Sequence, residues 1–242
     1  MWNYGIQLPE SLYIPPNLTT IILPTLNEEK YVSRAILSIQ SQNIVQAAPQ
    51  RFEFLVVDSE SDDSTAAIAS SMGVTVVSAP RGKLSARDIG IREAKGDVIF
   101  ATDADTFYPP NHLNLMLRHF QDASTVAVYG NAIIEDPPLI WAITWLRTFI
   151  PPRRMLGNNS GFRKDAYFKI GGFDLSIDQQ DNEQMVQEEE FRLFDRFESV
   201  GKVAYEMGTA AMSSGRRWTG ADSAWSAEVK ARKRFIEEAG YL

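Results

Sequence analysis

Two aspartates spaced one residue apart, Asp103 and Asp105, directly follow the apolar run DVIFAT. If that run is a strand, the chain turning at its end can bring both carboxylates to one point. Paired hard oxygens of this kind suit Mg2+ or Mn2+, ions that usually keep open positions for water or substrate phosphates. A plainer reading is that the pair only ends a strand and begins a turn, since isolated D-x-D spacings are common. Charge also gathers in three other short segments that follow apolar or strand-like runs. These are Pro24–Glu28, Asp58–Ser61 and Ala79–Lys83, which bring Glu28, Asp58 and Lys83.

The elements needed to position these residues follow from the apolar pattern. Leu18 to Leu23 (LTTIIL) reads as a buried strand whose ladder Pro24 stops. A helix should follow, with Thr25 and Glu28 at capping-box spacing and Tyr31, Val32, Ala35, Ile36 and Ile39 on its inner face. Phe52 to Val57 is a second strand, and Ser61 to Met72 a capped helix stopped by Gly73. Val74 to Val77, a helix from Leu84 to Ala94, and the strand Val98 to Ala101 repeat the alternation. Three strand–helix units in a row predict a parallel sheet covered on both faces. In such sheets ligands collect beyond the carboxyl ends of the strands, and all four charged segments fall there. A helix from Pro110 to Gln121 and a strand from Val126 to Tyr129 follow, after which the pattern loosens. It passes through an apolar stretch at Leu139 to Ile150, a glycine-rich one at Gly157 to Gly172, and an acidic one at Asp178 to Glu190.

The 242 residues, 44% apolar and 23% charged, fit one α/β domain, with the change of pattern near Asn131 dividing its roles. Lys and Arg total 24 against 31 acidic residues, and the net charge of -7 opposes nucleic acid as a partner. With no cysteine there are no disulfides, thiolate zinc sites or thiol catalysis, and His112 and His119 leave little for histidine chemistry. P-loop, G-x-G-x-x-G, G-x-S-x-G and H-E-x-x-H patterns are absent. The start of the chain lacks a secretory pattern and no apolar stretch reaches membrane-spanning length, so a cytoplasmic protein is expected.

Taken in order, the segments LPTLNEE, VVDSESDDST, SAPRGKLSARDIGIREAKGD, TDADTFYPP and SGFRKDAYFKIGGFD resemble the inverting family-2 glycosyltransferases of the GT-A fold. The resemblance runs from about Thr19 to Trp218. It implies a single GT-A domain over 1–242, mostly parallel in its central sheet. About 18–130 would bind a nucleotide sugar and about 131–242 an acceptor. It also implies a UDP- or GDP-linked donor, Mn2+ or Mg2+ as cofactor, and a glycan, lipid-linked or small-molecule acceptor.

Position by position, the resemblance assigns Pro24, Leu26, Asn27, Glu28, Asp58 and Ser59 to the nucleotide. Lys83 and Arg87 would meet ribose or phosphate, Asp103 would lie nearer the ribose, and Asp103 and Asp105 would hold the metal. Ser59, Glu60, Ser64 and Asp88 depart from the usual residues, which leaves the base open. The base for the acceptor proton is implied at Glu188, with Glu189 as the neighbouring alternative. Asp174 of GGFD would meet donor sugar or acceptor, and Arg216 and Arg217 the diphosphate. Two further readings stay open: a non-catalytic binding protein of the same fold, and a sugar nucleotidyltransferase, whose usual glycine-rich opening loop is absent here. Residues 139–154, apolar with two tryptophans and then Pro-Pro-Arg-Arg, form either a buried or dimer helix or a peripheral contact with the cytosolic face of a membrane.

Overall fold

The structure, a computed structural model, describes residues 12–15, 17–135, 138–147, 149, 157–180 and 183–217. Residues 151–154 and Trp218, which figure in the expectations above, lie outside that range. Eight strands form one sheet: β1 (Thr19–Thr25), β2 (Phe52–Asp58), β3 (Thr75–Ser78), β4 (Val98–Ala101), β5 (Thr106–Phe107), β6 (Thr125–Ile134), β7 (Ser160–Arg163) and β8 (Lys202–Ser213). Their order is β3-β2-β1-β4-β7-β6-β8-β5. The first four are mutually parallel, β7 runs antiparallel to β4 and β6, and β8 is parallel to β6.

Side chains alternate across the pleat, so each apolar strand feeds two cores. Ile21, Leu23, Val56, Phe100 and Val128 point to one face. There they pack on α1 (Val32–Gln40), α2 (Asn43–Ala47), α3 (Thr65–Ser71) and α5 (His112–Leu117). Ile22, Leu55, Val57, Ile99, Ala127 and Tyr129 point to the other, against α4 (Lys83–Glu93), α7 (Lys164–Lys169) and α8 (Glu183–Glu198). Helix α6 (Pro138–Arg147) lies on β6, where the Ile134 N–H donates to Thr144 Oγ1 at 3.1 Å.

Several expectations need correction. β1 does not stop at Pro24. β4 pairs only with Thr19–Ile22, so the proline sits beyond that ladder, and the strand continues to Thr25 along β2. Thr25 and Glu28 form no capping box, because α1 begins at Val32 and both side chains have partners elsewhere. Helix α3 begins at Thr65 rather than near Ser61, since the intervening residues build a turn around Asp58 and Asp63. The helix expected from Pro110 shortens to α5 followed by a 3-10 turn, Arg118–Gln121. The strand expected to end at Tyr129 runs on to Ile134, through Asn131.

Candidate functional site

The carboxyl ends of β1, β2 and β4 and the start of α4 surround a cleft open to solvent. Pro24, Thr25, Leu26, Glu28, Ser59, Gly82, Lys83, Ala86 and the run Asp103-Ala104-Asp105 line it. The strands put them there: parallel register aligns Thr25 with Asp58, and β4 ends two residues before Asp103.

Both aspartates of the pair already face cations. Asp103 accepts from Arg87 Nη2 at 2.8 Å and lies 3.5 Å from Lys83 Nζ. Asp105 lies 3.3 Å from the Arg216 guanidinium, which also pairs with the buried Glu28 carboxylate. That guanidinium rests over the Tyr31 ring, 4.6 Å from its centroid. Burial works against the charge on Arg216, but the hydrogen bond and charge of Glu28, followed by the charge of Asp105, outweigh it and raise its pKa. Tyr108, fully buried behind the pair, donates its hydroxyl to the Asn158 carbonyl at 2.5 Å. Burial first, and the charges of Asp103 and Asp105 second, push this phenol well above its usual pKa.

Two carboxylates at one strand end in a solvent-open cleft form a donor set that fits a hard divalent cation, which would have to displace the Lys83 and Arg216 groups now beside them. Among the described residues no group of three or more histidine, aspartate or glutamate side chains is placed to hold a metal. The remainder of such a cation's shell would therefore have to come from substrate phosphates and water.

Other expected site residues do not line the cleft. Asp58 accepts from Thr25 Oγ1 (3.0 Å), Ser61 Oγ (2.6 Å) and Ser61 N–H (3.0 Å), so its carboxylate ties β1 to the β2–α3 turn. Asn27, at φ 55°, accepts from Asp62 N–H and donates its own N–H to Ser61 Oγ. Arg87, 3% exposed at its side chain, stands behind Asp103. Asp174 is exposed and accepts from Ser176 N–H and Oγ, bonds that hold its pKa below the usual value. Arg217 lies in the 3-10 turn Gly215–Arg217 that follows β8.

Helix α8 distributes its three consecutive glutamates over different partners. Glu188 accepts from Gln184 Nε2 at 2.9 Å and lies 4.0 Å from Arg192, both on its own helix. Glu189, 1% exposed, accepts from Asp174 N–H at 3.0 Å and Arg196 Nη2 at 2.5 Å, which fixes the GGFD turn. Glu190 lies 3.7 Å from Arg87 Nη1, the guanidinium behind Asp103, and accepts from Gly157 N–H at 3.2 Å. A Cβ on Gly157 would fall 2.0 Å from the Arg87 guanidinium, so the close approach of that chain needs glycine. Glu190 is not among the residues assigned from the sequence, although a signal for its position exists. It shares the stripe 190, 193, 194 and 197 with Leu193, Phe194 and Phe197, which face the sheet.

The chain matches the family model described as Glycosyl transferase family 2 over residues 20–176. An uncharacterized glycosyltransferase of Haemophilus influenzae is 30% identical over 126 residues, 49% of this chain and 48% of that protein. A dolichol-phosphate mannosyltransferase of Pyrococcus furiosus is 30% identical over 119 residues, 45% of this chain and 32% of that one. The chain thus spans between about a third and a half of the length of these two relatives. Two solved structures share the fold. The mannosyltransferase PcManGT from Pyrobaculum calidifontis, in complex with GDP-Man and Mn2+, superposes with a TM-score of 0.62 at 17% identity, covering 97% of this chain and 69% of that one. GalNAc-T7 with UDP, GalNAc and Mn2+ gives 0.65 at 15%, covering 95% and 48%. The mixed α/β architecture with a curled eight-stranded sheet is that of the GT-A glycosyltransferases.

Proposed function

The chain belongs to glycosyl transferase family 2, and from that premise we propose that it moves a sugar from a nucleoside-diphosphate donor to an acceptor hydroxyl or phosphate, with inversion at the anomeric carbon. The observation that carries this reading is the Asp103–Asp105 pair. It closes β4 inside a cleft walled by β1, β2 and the start of α4, with Lys83 and Arg216 beside it. Two fold neighbours with Mn2+, one with GDP-Man and one with UDP and GalNAc, support a donor and a cation of the same classes here.

Asp103 and Asp105 would hold Mn2+ or Mg2+, which supplies Lewis-acid stabilisation of the charge on the departing diphosphate. Pro24, Leu26 and Ser59 form the wall for the nucleotide, with Asn27 and Asp58 holding that wall in shape. Arg216, with Arg217 next to it, contributes positive charge for the phosphates. On the opposite side, Glu190 takes the acceptor proton, a role its contact with the Arg87–Asp103 pair supports better than the placements of Glu188 or Glu189. The acceptor oxygen then bonds to the anomeric carbon, the glycosyl–phosphate bond breaks, and its electron pair leaves with the nucleoside diphosphate. Asp174, on the turn held by Glu189, borders the acceptor side.

Helix α6 favours a lipid-linked acceptor among the candidates. Thr144 faces β6, while Leu139, Leu146 and Phe149, 70%, 59% and 59% exposed, lie on the opposite side at helical spacing. Trp145 meets Phe149 edge-on at 5.4 Å and stacks on Trp141 at 6.2 Å. Such a face suits the surface of a bilayer. No helix among the described residues is long and apolar enough to cross one.

The test uses a panel of UDP- and GDP-sugars with Mn2+, reading nucleotide binding by calorimetry and product configuration by NMR. Asp105→Asn should abolish Mn2+-dependent nucleotide binding. Glu190→Gln should keep binding but lower transfer by roughly a hundred- to ten-thousand-fold. Unchanged Mn2+-dependent binding in the first variant refutes the metal assignment. Full transfer by the second, with loss in Glu188→Gln, returns the base to Glu188.

A further inference from the structure

Helix α4 carries Lys83 and Arg87, the two cations against Asp103, yet it has no cap of its own. Its N-cap is Gly82, no side chain of the preceding turn bonds to it, and its first turn holds no acidic residue. The cap comes from 94 residues away. Asp178, in the 3-10 turn Leu175–Gln180, accepts from Leu84 N–H at 3.1 Å and from Ser85 N–H at 2.6 Å. Both carboxylate oxygens are therefore spent on the free N–H groups of the first helical turn, where negative charge is favoured.

Two independent features show that this contact is built in. Gly82 sits at φ 144°, and a Cβ there would come within 2.5 Å of Asp178 Oδ2, so the absent side chain is the space the carboxylate occupies. Beside the bonds, Ile177 is buried against Leu84 and Val186, a small apolar cluster that joins the 3-10 turn, α4 and α8. The same turn continues directly from Asp174 and leads into the helix that carries Glu190. The contact thus joins the segment on the acceptor side to the helix that positions the cations of the donor side.

We propose that Asp178 is a positioning residue for the transfer reaction, latching the acceptor-side segment 173–180 to the start of α4 so that acceptor and donor are held in one register. This rests on the glycosyltransferase reading, but its structural half does not. Without the latch, donor binding persists because most of its walls come from β1, β2 and β4, and α4, the remaining wall, stays packed on the sheet through Ala86 and Ile91. The acceptor side loosens, and more donor is lost to water in place of the acceptor.

The experiment pairs kinetics with hydrogen–deuterium exchange on the unliganded full chain, using Asp178→Ala, Asp178→Asn and Gly82→Ala. In Asp178→Ala, exchange should accelerate about fivefold or more at Leu84 and Ser85 and also across 173–177. Acceptor KM and the ratio of donor hydrolysis to transfer should rise about fivefold, while donor KM holds. Asp178→Asn should fall between wild type and Asp178→Ala, since its amide offers one acceptor oxygen to two N–H groups and sets its NH2 against the other. Gly82→Ala, which keeps the carboxylate but fills its seat, should reproduce the faster exchange across 173–177 expected for Asp178→Ala. Unchanged exchange across 173–177, or donor and acceptor KM changing together, overturns the latch. If wild type consumes no nucleotide sugar, the enzymatic reading fails, and the exchange data alone decide whether the latch exists.

Discussion

Replacing Arg87 by methionine tests whether the guanidinium holds the two sides of the cleft together. Arg87 is 3% exposed and stands between Asp103, at 2.8 Å, and Glu190, at 3.7 Å. Methionine fills much of the same volume but leaves two carboxylates facing each other with one shared cation removed. Taking one partner from a buried ion pair costs about 3–5 kcal/mol. Asp103 stays 22% exposed and keeps Lys83 at 3.5 Å, which places this case at the low end, about 3 kcal/mol. For a chain of this length each kcal/mol moves Tm by about 2–4 °C, so thermal unfolding should shift down by roughly 6–12 °C. Arg81→Met, which breaks an exposed pair with Asp62, should leave Tm essentially unchanged. Adding Asp103→Asn to Arg87→Met should recover part of the loss, with a coupling of about 1 kcal/mol or more in a double-mutant cycle. A shift under about 2 °C, or strict additivity with Asp103→Asn, would refute the bridging role.

His112 is fully buried between Thr209 and Asn159, 2.8 Å from each, and burial lowers its pKa to about 4. The unfolded chain binds that proton near pH 6.5 and the folded one does not, so stability falls as pH drops from about 6.5 to about 4, by about 3 kcal/mol from this group. Urea unfolding of His112→Gln across that range should show a shallower fall than wild type, and an equally steep one rules the assignment out. For α6, wild type should sediment with vesicles of phosphatidylglycerol and phosphatidylcholine, whereas the Leu139→Asp, Leu146→Asp double variant should remain in solution. Wild type left in the supernatant removes the lipid-surface reading.

What could be read from the sequence divides along a physical line. β4 is legible to the residue because a strand buried on both faces is a continuous apolar run between polar turns, and the Asp103–Asp105 pair inherits that clarity from its position at the strand's end. β8 was not legible. Its residues KVAYEMGTAAMS mix small, polar and charged types, and its register against β6 shifts where Gly130 pairs with Glu206 and Asn131 with Ala210. The failed capping box shows the same division. Thr25 and Glu28 have the right spacing, but Asp58 and Arg216, 33 and 188 residues away, engage them more strongly than a helix start would. The three glutamates of α8 sit between these cases. A motif match fixes their neighbourhood but can slip by a residue, whereas the apolar stripe through Leu193, Phe194 and Phe197 fixes which side of the helix meets the sheet. Counting back one turn along that stripe reaches Glu190, which places that acid on the sheet side of the helix, beside Arg87. No such local rule reaches Asp178, because its partners are the N–H groups of a helix start, which any carboxylate brought there by the fold can satisfy.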